Sequence, residues 1–91
     1  MINIAKFWKD SELKKAIEEM PFIALTDELK NKYIGIDVDL GEGDKGTITK
    51  LISNKETGGV VAAEVRINKN HKYYYTIIPL SFMAKQDGLI A

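Results

Sequence analysis

The segment from Val60 to Ile78 constrains the fold of this chain more than any other. It holds two strand-like runs, GVVAAEVRIN and KYYYTIIPL, joined by a short polar stretch. Val61, Ala63, Val65 and Ile67 alternate with Ala62, Glu64 and Arg66, the period of two expected for a half-buried strand. The returning run is rich in aromatic and β-branched residues, which suit a pleated surface. A long antiparallel hairpin follows, turning within Asn68-Lys69-Asn70-His71-Lys72, where asparagine tolerates positive φ. A two-residue loop at Lys69-Asn70 would set Val65 opposite Tyr74. A three-residue loop over 69–71 sets Ile67 opposite Tyr73, Val65 opposite Tyr75 and Ala63 opposite Ile77. The second register gathers the apolar side chains on one face, and it is the expected one. It places Tyr73, Tyr75 and Ile77 in the interior and leaves Arg66 and Tyr74 outside.

The 91 residues suffice for one domain with one modest core. Cysteine is absent, which removes disulfides, thiolate metal sites and cysteine nucleophiles. The N-terminus lacks a basic region followed by an apolar run of signal-peptide length. No apolar stretch approaches the roughly 20 residues that span a bilayer, so a cytoplasmic protein without membrane contact is expected. Net charge is zero, but residues 1–45 carry seven lysines against ten acids (−3) and residues 46–91 carry the opposite excess (+3). Neutrality weighs against generic nucleic-acid binding, which shows a basic excess. The asymmetry suits head-to-tail self-association.

Taken in order, residues 3–20 have helical periodicity, as one helix or as two broken near Lys9-Asp10. Asp10 or Ser11 caps, and Leu13, Ala16, Ile17 and Met20 share a face until Pro21 ends the pattern. Phe7, Trp8 and Phe22 are expected in the core. Thr26 caps a brief helical turn through Asp27-Glu28-Leu29-Lys30. The run from Tyr33 to Leu40 alternates as a first strand, with Ile34, Ile36, Val38 and Leu40 inward and Asp37 and Asp39 outward. A loop over 41–46, a second strand from Thr47 to Ile52, a turn over 54–59 and the hairpin follow. Pro79 breaks the last long strand, Leu80 to Met83 forms a single helical turn, and residues 88–91 supply a short closing strand. The expected class is α+β: residues 1–32 helical, residues 33–91 a four- to five-stranded antiparallel barrel or strongly bent sheet.

Gly43-Asp44-Lys45-Gly46-Thr47-Ile48, the Gly58-Gly59 turn and the Pro79–Met83 break resemble the SH3-like small barrels over residues 33–91. The likeness is one of topology, with no family-specific motif. In size and style the chain is also similar to small free-standing proteins of phages and bacterial mobile cassettes.

Gly41-Glu42-Gly43-Asp44-Lys45-Gly46 matches G-x-G-x-x-G after a strand. The segment after it, however, alternates as a strand instead of opening a helix to hold pyrophosphate, and Glu42 and Asp44 would face phosphate with like charge. It also lacks the P-loop lysine between Gly46 and Thr47. Asp37, Asp39, Glu42 and Asp44 crowd carboxylates together, making Asp37, Asp39 and Asp44 candidates for an irregular divalent-cation site, with a metal-dependent or enzymatic role as a further alternative. The EF-hand pattern fails, because counting from Asp37 puts Gly41 at position 5 and Ile48 at position 12. Against a metal stands the plainer account of a solvated strand face. His71, the one histidine, sits in the hairpin turn, and Ser11, Ser53 and Ser81 lack a nucleophile-elbow context. No catalytic residue and no cofactor site are assigned.

Arg66, Lys69, His71, Lys72 and Tyr74 form the one basic-aromatic cluster, the candidates for binding a ligand or single-stranded nucleic acid. With Tyr73 and Tyr75 inward, Tyr74 alone is left to stack a base. A nucleic-acid partner is therefore disfavoured, and the expected function is non-catalytic binding of a protein, including a second copy of the chain.

Overall fold

Strand β5 (Lys72–Pro79) follows β4 (Val60–Lys69) through a two-residue turn, Asn70-His71, whose φ angles of 54° and 65° are both left-handed. The ladder pairs Lys69 with Lys72, Ile67 with Tyr74, Val65 with Thr76 and Ala63 with Ile78. This corrects the expected three-residue loop. Both central positions of a type I′ turn need positive φ, and Asn70 with the residue after it meets that demand where Lys69-Asn70 would not. The shift of one residue carries Tyr73, Tyr75 and Ile77 to the outer face, 59%, 60% and 49% exposed. Ile78, fully buried, takes the interior place.

The computed structural model describes residues 2–3 and 10–88. Its elements run β1 (Ile2–Asn3), α1 (Asp10–Glu18), α2 (Asp27–Tyr33), β2 (Asp37–Gly41), β3 (Asp44–Ser53), β4, β5 and α3 (Ser81–Ala84). The five strands form one sheet in the order β1-β2-β3-β4-β5, with β1 parallel to β2 and the rest antiparallel. The α+β class holds. The sheet is open, with β1 and β5 at opposite edges, so the closed SH3-like barrel is not formed. Register shifts after Ile48 and Ile52 interrupt the β3–β4 ladder where alternation would otherwise run on.

One face of the sheet packs on α2 and α3. Val38, Leu40, Ile48, Val65 and Ile78 meet Leu29, Tyr33, Leu80 and Met83 in a single cluster. Thr26 caps α2 as expected, its hydroxyl accepting the Leu29 N–H at 3.1 Å, and this satisfies a donor that helix geometry orphans. Leu29 and Tyr33, four apart, then point into the core together. Because α2 runs on through Tyr33, the first strand starts at Asp37 and not at Tyr33. Gly35 (φ 89°) turns the chain between them, and Ile34 and Ile36 are exposed instead of inward. Val38 and Leu40 are buried as their alternation requires.

Helix α1 is described over Asp10–Glu18, and its apolar residues Leu13, Ala16 and Ile17 are half-buried. Asn3 lies in β1, outside the helix expected from residue 3. Phe22, expected in the core, is exposed, its ring edge lying against Gly59. Phe7 and Trp8, and residues 89–91 of the expected closing strand, lie outside the described residues. Gly88 itself lies in a turn.

Candidate sheet-face binding site

The core face fixes what the other face displays. With Val38, Ile48, Val65 and Ile78 inward, alternation sends Asp37, Asp39, Lys45, Thr47, Glu64, Arg66, Asn68, Tyr73, Tyr75 and Ile77 outward. Asp37, Thr47, Arg66 and Tyr75 form one continuous row across four strands. Lys50, Glu64 and Ile77 form the next. At the far end, the ladder pair Ala62 and Pro79 is buried, so the open part of the face ends near Ile77.

The Arg66 guanidinium lies 5.1 Å from the centre of the Tyr73 ring, close enough for a cation–π contact. An open cavity of about 320 Å³ lies beside them, lined by Asp37, Lys45, Gly46, Thr47, Arg66, Asn68 and Tyr73. Thr47 donates its hydroxyl to the Asp37 carboxylate at 3.0 Å. Glu64 accepts a hydrogen bond from the Thr49 hydroxyl at 2.9 Å and lies 3.6 Å from the Lys50 ammonium. These partners hold the outer carboxylates in set positions, and the cavity presents a cation, an acid and a ring within one row and its neighbour.

The cluster of candidate residues is only partly assembled. Arg66 joins the face, but its aromatic neighbours are Tyr73 and Tyr75, which sequence reasoning had placed inside. Tyr74, expected outside, falls on the core-side row opposite Ile67 near the sheet's end, yet remains 52% exposed. Lys69 turns toward Asp44, 3.5 Å away, and His71 is an exposed turn residue. Lys72 pairs with Lys69 at the base of the turn. The candidate carboxylates are engaged separately: Asp37 by Thr47, Asp39 by the Gly41 N–H at 2.9 Å, Asp44 by Lys69. Among the described residues no three acidic or histidine side chains converge as a cation would require.

The signal that would have exposed the tyrosines lay in the turn. Both β5 faces carry large apolar residues, so hydrophobic patterning could not choose between registers. The demand for paired left-handed residues could.

No helix among the described residues is long and apolar enough to cross a membrane. No family model, curated protein or solved structure matches the chain.

Proposed function

We propose that this chain is a non-catalytic binding module that docks another protein on the outer face of its sheet. The observation that supports this most is the exposure of Tyr73, Tyr75 and Ile77 side by side, with Arg66 among them. Tyrosine and arginine are the residue types that concentrate binding energy at protein interfaces, and charged rim groups such as Asp37 and Lys45 add specificity. The residues sit on strands whose opposite side is the core, so the surface is pre-organised and loses little entropy on binding. A photo-crosslinking side chain at position 75, compared with one in the exposed turn at Lys55, tests the reading in cells. Polypeptide adducts at 75 and none at 55 support it. Nucleic-acid adducts alone, or no difference between the two positions, overturn it.

A second reading is single-strand nucleic-acid binding on the same face. The outward Tyr73 and Tyr75 favour it, since paired aromatics on a sheet are how small domains stack unpaired bases. It requires binding that weakens steeply with salt and is lost on Arg66→Ala.

A further inference from the structure

We infer that the occupant of this face is a second copy of the same chain, packed sheet to sheet about a two-fold axis parallel to the strands. This rests on the reading of the outer face as a protein-docking surface and names its partner. Charge on the face is sorted on β2 and β3 and mixed on β4. The acids Asp37 and Asp39 lie on β2, the cations Lys45 and Lys50 on β3, Glu64 and Arg66 on β4, and the phenols on β5. A two-fold axis running between β3 and β4 keeps every row at its own height while exchanging β2 with β5 and β3 with β4. Asp37 then faces Tyr75 of the second copy, Lys50 faces Glu64 and Thr47 faces Arg66. The Tyr75 phenol meets an acid, the Lys50 ammonium meets an acid, the Thr47 hydroxyl meets a guanidinium from which it can accept, and no like charges meet. An axis across the strands at the same row would instead lay Arg66 on Arg66 and Asp37 on Asp37. A symmetric dimer uses one self-complementary patch, and this arrangement supplies one.

The remaining considerations agree. A chain of zero net charge meets no long-range repulsion from its own kind. Neutrality and the β2 carboxylates fit a phosphate backbone poorly. At roughly 150–250 Å² for a buried aromatic, the exposed parts of Tyr73 and Tyr75 offer ~200–300 Å² per copy. With Ile77, Arg66, Asn68 and Lys45 the pair of faces reaches ~1,000–1,200 Å², the low end of specific interfaces. A weak, micromolar dimer is the result.

Sedimentation velocity on the purified full chain, across the micromolar range, tests this. The expected mass rises from one chain to two with concentration. Tyr75→Asp, which sets a carboxylate against Asp37 of the second copy, should weaken the dimer about tenfold or more, while Tyr75→Lys should weaken it far less. Both variants keep the melting temperature, because the side chain is exposed. A monomer at every concentration, a dimer indifferent to Tyr75→Asp, or equal losses for the two variants would each overturn the inference. A monomer that still gives polypeptide adducts at position 75 loses the second copy and keeps the docking face. A monomer that binds oligothymidylate through Tyr75 loses both.

Discussion

Arg66 and Tyr73 are in contact on the outer face of the sheet, the guanidinium 5.1 Å from the ring centre. They are diagonal neighbours across the β4–β5 ladder, since Arg66 pairs with Tyr75 and Asn68 with Tyr73. The contact exists only in this register. In the neighbouring one, Tyr73 would lie on the opposite face from Arg66. A single pair thus reports on the hairpin and on the accessibility of the proposed docking surface.

The first prediction separates the two registers by stability. Tyr73→Ala and Tyr75→Ala remove exposed rings and should change unfolding free energy by less than about 0.5 kcal/mol. Ile78→Ala empties a fully buried site and should cost about 3 kcal/mol, by transfer and cavity terms together. Urea titrations of the three variants give the comparison. Large losses at Tyr73 and Tyr75 with a small one at Ile78 would restore the interior placement of the tyrosines.

Gly46 provides a second test, this time of the sheet beneath the cavity. A Cβ there would collide with Val65 Cγ1 and lie 2.9 Å from the Arg66 carbonyl oxygen, in a strand flanked on both sides. Backbone cannot yield as a flexible side chain does. Gly46→Ala should therefore destabilise by about 1–3 kcal/mol, the cost of overpacking, and should disturb Arg66 as well. Thermal unfolding measures the first effect, and the chemical shifts of Arg66 and Tyr73 measure the second.

Tyr33 makes stability depend on alkaline pH. Burial, then its hydrogen bond to Asp87 (2.6 Å), then the negative charge of Asp87, raise its phenol above the ordinary value. The folded state therefore keeps this proton at pH values where the unfolded state releases it. Tyr33 contributes its full share below the unfolded value of about 10 and loses it progressively above that pH. Melting temperature should fall more steeply above that point in the parent chain than in Tyr33→Phe. At neutral pH Tyr33→Phe should lose about 1 kcal/mol, a hydrogen bond whose acceptor faces solvent. Parallel melting curves in both proteins would refute this assignment.

How much of this was legible in the residues follows from which principle governed each one. Thr26 and the acids after it wrote their cap into the sequence, and the helix formed there. Ile48, Ala63 and Val65 are buried on the core side as their alternation required, whereas the register shift after Ile48 puts Leu51, and not Ile52, against the core. Ile34 and Ile36 misled because Tyr33 and Leu29 share a helical face, and a helix that keeps both inward cannot release the chain before residue 34. Phe22 misled because burial of an aromatic is a habit of composition, whereas its position next to Pro21 and the bridge from Ala24 to Gly59 leaves it outside. The site was hidden more deeply. Of its residues Asp37, Asp39 and Arg66 were candidates, but Tyr73 and Tyr75 were assigned to the wrong side by one residue of register, and with them went the case for an accessible face.

The turn that fixes the register yields the last prediction. Asn70 and His71 hold φ of 54° and 65°, a conformation that glycine, without a Cβ, adopts at no steric cost. His71 is exposed, so its side chain contributes little to offset the strain. His71→Gly produces the Asn-Gly pair that type I′ turns favour most, and it should stabilise the protein by about 0.5–1 kcal/mol despite the added freedom of the unfolded chain. His71→Val should cost at least as much, because a β-branched residue resists positive φ. The Lys69 and Lys72 pair beside the turn repels weakly, with Asp44 near Lys69 offsetting part of it. Guanidinium titration of the parent and both variants measures the ordering. A destabilised His71→Gly would mean that the loop is not the two-residue turn, and the outward tyrosines would go with it.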